Sequence, residues 1–127
     1  MKKFLIFVVL LVAAISYVHT NYTVQDAVNY AVAKNDKKWT PMIEYYAGYY
    51  YQMNDRYDES IKVLEPMLET WPDTQYKPDI LFVLGQDYEN TRQKDRAKEY
   101  YDKYLEDNPN GSHADLIKRK LEIFKSQ

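Results

Sequence analysis

The chain has no cysteine, three glycines, five prolines and two histidines among 127 residues. Each shortage closes off a class of protein. Without cysteine there is no disulfide framework, no zinc finger, no thiol nucleophile and no lipid-anchored cysteine. With so little glycine there is no Gly-rich phosphate loop. Basic residues number 17 and acidic residues 19, a net charge of −2. That balance lacks the basic excess of a nucleic-acid footprint, so no nucleic-acid partner is expected. What the chain has in quantity is tyrosine. Fourteen tyrosines and an aromatic content of 16 % argue against disorder. The length fits one domain, and the composition points to a helical one.

The amino terminus has the pattern of a targeting segment. Lys2 and Lys3 precede fifteen mostly apolar, uncharged residues from Phe4 to Val18. This is a positive n-region followed by an apolar h-region. A fifteen-residue helix reaches about 22 Å, short of the ~30 Å hydrocarbon core. Residues 1–20 are therefore read as a cleaved signal peptide, with Ala14 and Ser16 before the cut, or as a short membrane anchor. If the segment is uncleaved, residues 4–18 contact the membrane. No further Lys or Arg occurs before Lys34, so the positive-inside rule leaves the amino terminus in the cytoplasm and the rest outside. The expected location is extracytoplasmic, periplasmic in a Gram-negative cell. Residues 21–127 keep 15 basic and 19 acidic residues, net −4.

Residues 21–127 contain an internal repeat. An offset of 37 aligns Pro41 with Pro78, Ile43 with Ile80, Gly48 with Gly85 and Tyr51 with Tyr88. It also aligns Asp58 with Asp95, Leu68 with Leu105, Glu69 with Glu106 and Pro72 with Pro109. These are eight identities, where chance at ordinary composition gives roughly two. Gly to Pro spans 24 residues in both copies. A helical glycine costs about 1 kcal/mol, so each of these two must permit a close helix approach in return. Pro41 and Pro78 suit a first helical turn, with Thr40 as an N-cap. Pro72 and Pro109 stop the second helix of each unit. Pro66 is expected to kink a helix.

The spacing predicts six helices after the targeting segment. The first covers about 24–35, capped by Thr23, with Val24, Ala27, Val28, Ala31 and Val32 on one face. The repeat helices cover about 41–54, 57–70, 78–91 and 94–107. Gly111 and Ser112 break and cap the chain before a last helix over 113–125. That helix turns Leu116, Ile117, Leu121 and Phe124 inward and Lys118, Arg119, Lys120 and Lys125 outward. Flanking helices at both ends would cover apolar faces that two repeats alone leave open.

The units read Ala47-Gly48, Tyr51, Tyr57, Ser60, Leu64, Pro72 and Leu84-Gly85, Tyr88, Ala97, Tyr101, Pro109. This pattern resembles the tetratricopeptide repeat, L-G-x2-Y, then A-x3-F, then P. The resemblance implies an all-α fold: a helix-turn-helix solenoid with repeats at about 41–74 and 78–111. It departs from the pattern in three ways. Glu44 and Leu81 replace the early Trp, Asp55 and Arg92 replace the turn glycine, and the period is 37 rather than 34. From Trp71 to Phe124 the chain also resembles tetratricopeptide domains of bacterial envelope proteins. Examples are the BAM-complex lipoprotein and the TolA-binding cell-division coordinator, where P-x-S-x-x-A joins units; here the junction reads Asn-Pro-Asn-Gly-Ser-His-Ala. The lipidated cysteine of the former is missing.

No catalytic constellation, cofactor or metal site is expected. His19 and His113 are far apart and read as incidental surface residues. Ser112 lacks the glycines of a nucleophile elbow. Glu99, Asp102, Lys103 and Glu106 read as a solvated face, and Lys118-Arg119-Lys120 as a short basic one. Tyr51, Tyr57, Tyr88 and Tyr101 fall at repeat positions that pack in the core, and Tyr104 at one usually held by alanine. Tyr45, Tyr46, Tyr49 and Tyr50 are not required by the repeat.

In the family the first helix of each unit lines a concave groove. Carried over, that places Met42, Tyr45, Tyr46, Tyr49, Gln52 and Met53 there, with Asp79, Phe82, Val83, Gln86 and Glu89. Tyrosine suits recognition, joining a large apolar area to a polar tip. The Lys and Asn positions of the family's carboxylate clamp hold Tyr45, Tyr49 and Val83, so an acidic carboxyl terminus is not the expected ligand. The resulting expectation is a non-enzymatic adaptor whose partner is another envelope or membrane protein. The alternatives are tyrosines packed on the flanking helices, or a membrane-tethered structural subunit that self-associates as a homo-oligomer.

Overall fold

The computed structural model describes residues 1–127 and is entirely helical. In chain order the helices are α1 (Lys2–Asn21), α2 (Val24–Lys34), α3 (Trp39–Met53), α4 (Tyr57–Thr70), α5 (Lys77–Asn90), α6 (Lys94–Asp107) and α7 (Ala114–Lys125). From α2 onward each helix packs on the next, and α3 also touches α5. This is a solenoid of two helix-turn-helix repeats, α3–α4 and α5–α6, flanked by α2 and α7. Helix α1 buries none of its residues and packs on no other helix. Its helical run of 20 residues extends beyond the apolar stretch. At 1.5 Å per residue it reaches about 30 Å, long and apolar enough to cross a membrane.

The glycines set the spacing within each repeat. A Cβ on Gly48 would overlap the Leu64 side chain, and one on Gly85 would overlap the Tyr101 ring. Leu64 and Tyr101 are themselves 37 residues apart and both fully buried. The same packing joint is therefore built twice, once around Leu and once around Tyr. The turns are also equivalent. Asp55 (φ 57°) and Arg92 (φ 61°) hold the left-handed conformation normally given to glycine. Behind them Arg56 N–H donates to the Tyr51 carbonyl at 2.9 Å and Gln93 N–H to the Tyr88 carbonyl at 2.8 Å.

The larger core cluster runs from Leu64 and Met67 through α5 to Tyr100, Tyr101, Tyr104 and Ile117. A smaller one joins Val28, Ala47, Tyr51 and Val63. Helix α2 has its predicted cap: Thr23 accepts from Asp26 N–H, and the Asp26 carboxylate accepts from Thr23 N–H at 2.7 Å. Its apolar face is narrower than the pattern predicts. Val28 and Ala31 are buried, while Ala27 and Val32 are exposed, because only α3 covers the helix.

Four other local expectations need correction. Thr40 is not the N-cap of α3. The helix starts a residue earlier, and Asp36 Oδ1 accepts from Lys38 and Trp39 N–H, both at 2.9 Å. That frees the buried Thr40 hydroxyl to donate to the Ala31 carbonyl at 2.9 Å, pinning α3 to α2. Ser112 does not cap α7. No side chain does, and His113 N–H at its start donates instead to the Tyr104 hydroxyl at 3.1 Å. On α7, Leu116 is 38 % exposed. Lys120 turns toward the protein, its ammonium 2.9 Å from Glu89 Oε2. Tyr57 is only half-buried, its hydroxyl donating to Asp55 at 2.8 Å, because it opens α4 at the solvent edge. Helix α4 carries Pro66 in its interior.

Candidate functional site

The contact between α3 and α5 creates a concavity along the first helices of the two repeats. Tyr45, Tyr49 and Gln52 on α3 face Asp79, Phe82, Val83 and Gln86 on α5. His113, just before α7, closes one end. The space is open and measures about 450 Å³. On α3, Tyr45, Tyr49 and Gln52 recur at spacings of four and three. On α5, Asp79, Phe82, Val83 and Gln86 do the same. Each set therefore falls on one face of its helix.

The floor is fixed by polar contacts. Gln52 Nε2 donates to Asp87 Oδ1 at 2.9 Å and to the Val83 carbonyl at 3.3 Å. Asp87 is fully buried, and its carboxyl is pushed up to about 6 by that burial. Ser60 and Gln52 favour the ionised form and keep the rise from being larger. Neither Ser60 Oγ nor Asp87 Oδ2 has a well-formed hydrogen bond. The sequence pattern gives no hint of this group, because its helical neighbours on the buried face are ordinary apolar residues.

The walls are aromatic. The Tyr45 ring stacks on Tyr76 at 4.7 Å and lies parallel to Tyr49 at 6.4 Å, with Tyr46 tilted against it at 5.1 Å. Burial first, and then the nearby Asp79 carboxylate, push the Tyr45 phenol up to about 12. It therefore stays a neutral donor and acceptor across ordinary pH. His113 is not an incidental surface residue. Its ring stacks on Phe82 at 3.9 Å, meets Tyr104 edge-on at 5.9 Å, and places Nε2 3.5 Å from Asp79 Oδ1. Phe82 and Asp79 lie far from it in sequence, so helical periodicity gives no sign of this role.

Of the groove residues carried over from the family, the structure brings together Tyr45, Tyr49, Gln52, Asp79, Phe82, Val83 and Gln86. Met42, Tyr46, Met53 and Glu89 lie outside that lining. Tyr46 and Met53 are exposed, at 56 % and 68 %, and Met42 is half-buried. Glu89 is engaged elsewhere. It accepts from the Tyr101 hydroxyl at 2.6 Å and from Lys120 at 2.9 Å, tying α5 to α6 and α7. The repeat-defining Gly48, Tyr51, Gly85, Tyr88 and Ala97 are all buried, and Pro72 and Pro109 each follow the end of a second helix. A second aromatic joint at Tyr100, stacked on Tyr88 at 5.6 Å and crossed by Arg96, lies outside the repeat pattern.

A tetratricopeptide repeat family model matches residues 79–111, from the cleft residue Asp79 through α6 to Gly111. The match supports the tetratricopeptide repeat family for the second unit, and the same glycine joint and left-handed turn recur in the first. No curated protein and no solved structure matches the chain. Tetratricopeptide repeats generally mediate protein–protein interaction and are typically non-enzymatic modules.

Proposed function

We propose that the chain is a non-enzymatic adaptor of the cell envelope that holds a segment of a partner protein in the cleft between α3 and α5. The observation that carries this reading is the cleft lining. Four tyrosines cluster in and beside it, at Tyr45, Tyr46, Tyr49 and Tyr76, and the cleft floor is pre-ordered by Gln52 and Asp87. Rigid aromatic walls on a fixed floor bind with little loss of side-chain freedom. The proposed domain comprises residues 21–127. Helix α1 acts as an export signal or as a retained anchor, and either role puts that domain on the far side of the membrane. The resemblance of the stretch from Trp71 to Phe124 to tetratricopeptide domains of bacterial envelope proteins supports that compartment.

Cross-linked capture from cells tests the cleft. Tyr45→Ala with Tyr49→Ala should abolish recovery of a partner that the wild-type chain captures repeatedly. Equal recovery by both chains would remove the cleft from the account. Fractionation with amino-terminal sequencing reads the fate of α1 in the same cells.

A second reading is a membrane-tethered subunit that self-associates. It is favoured by the exposed Tyr30, Val32, Trp39, Tyr46, Tyr50 and Met53 on α2 and α3. Sedimentation of the detergent-solubilised chain separates the two readings, since a strict monomer at high concentration excludes self-assembly.

A further inference from the structure

We infer that the partner segment presents a lysine or arginine side chain to the cleft, and that Asp79 is the residue that receives it. This rests on the cleft being the binding site. The charge of the lining points to the ligand. No lysine or arginine contributes to it. Asp79 stands at the rim with its side chain 47 % exposed. Beneath the floor lies a second carboxyl group, Asp87, reached through Gln52. The one lining group able to carry positive charge, His113, is held flat on Phe82 and approaches Asp79 only from the side, at 3.5 Å. Half of the Asp79 side chain is thus left open to an incoming donor.

The tyrosines add to the same selection. Tyr49 lies parallel to Tyr45 and is 41 % exposed, so it offers a π surface in the same lining as the Asp79 carboxylate. A cation over a tyrosine ring and next to a carboxylate gains from both. This chain already makes cation–π contacts internally: Lys38 lies 5.0 Å from the Trp39 ring centroid and Arg56 4.8 Å from that of Tyr51. An acidic ligand would meet Asp79 with no lysine or arginine in the lining to compensate, which selects against it. Gln86, half-buried in the lining, supplies an amide for the ligand backbone.

The test selects a random-peptide phage library on the full chain in detergent micelles. The enriched peptides are then titrated against wild type, Asp79→Asn, Asp79→Glu and Tyr49→Ala. The inference predicts enrichment of lysine or arginine. It also predicts affinity lowered roughly ten-fold or more by Asp79→Asn, largely kept by Asp79→Glu, and lowered by Tyr49→Ala. Neutral or acidic peptides that depend on Tyr49 but not on Asp79 would overturn the charge assignment while leaving the cleft in place. Peptides indifferent to both substitutions, or no enrichment, would overturn the cleft and this inference together. Circular dichroism of Asp79→Glu and Asp79→Asn separates lost charge from lost fold.

Discussion

At the scale of single residues, the repeat depends on what is missing at Gly48 and Gly85. A methyl group at either place would enter the fully buried side chain of the partner helix. Gly85→Ala should therefore destabilise the fold by about 1–3 kcal/mol, the usual cost of overpacking, despite the better helix propensity of alanine. Urea unfolding measures it. The two turn residues behave in the opposite sense. Arg92 sits at φ 61°, where a Cβ costs roughly 1–2 kcal/mol. Arg92→Gly should gain about 0.5–1 kcal/mol, after the entropy that glycine adds to the unfolded chain. Asp87 gives a pH signature. Its carboxyl titrates near 6 in the fold against an ordinary 3.8. As pH rises from about 4 to about 6 the unfolded chain gives up its proton first, so stability falls through that window. The loss should approach about 3 kcal/mol, and Asp87→Asn should remove it when the two stability–pH curves are subtracted.

At the scale of helices, the boundaries were largely readable because each has a local chemical cause. The Thr23–Asp26 capping box opens α2, Pro72 and Pro109 follow α4 and α6, and the 37-residue offset places the rest. The local pattern misleads where a side chain other than the obvious one supplies the partner. Asp36, not Thr40, accepts the Trp39 amide at the start of α3, and Tyr104, not Ser112, holds the backbone at the start of α7. His113 and Asp87 were illegible as site residues for the same reason, since their neighbours come from other helices. The groove set was only partly legible: Tyr49 and Phe82 share a lining, whereas Glu89 is drawn away by Lys120 and Tyr101. Helix α7 closes the solenoid through Ile117, fully buried against the main core. Ile117→Ala should cost about 2–4 kcal/mol by leaving a cavity there. A thermal melt shows it, and an unchanged midpoint would mean that α7 does not cap the domain.

At the scale of the whole molecule, two features divide the work. An apolar helix packs on nothing within the chain, and a solenoid opens one aromatic cleft between its first helices. The tyrosine excess separates along the same lines. Tyr51, Tyr88, Tyr100, Tyr101 and Tyr104 are buried architecture, while Tyr45 and Tyr49 form the cleft wall. The central claim is that this wall is where a partner docks. The most direct measurement is site-specific photo-cross-linking in cells, with the photoreactive residue placed at Tyr49 in one chain and at Lys98 on α6, outside the cleft, in another. The account predicts a discrete partner adduct from position 49 and none from position 98. An adduct from 98 and none from 49 would contradict it.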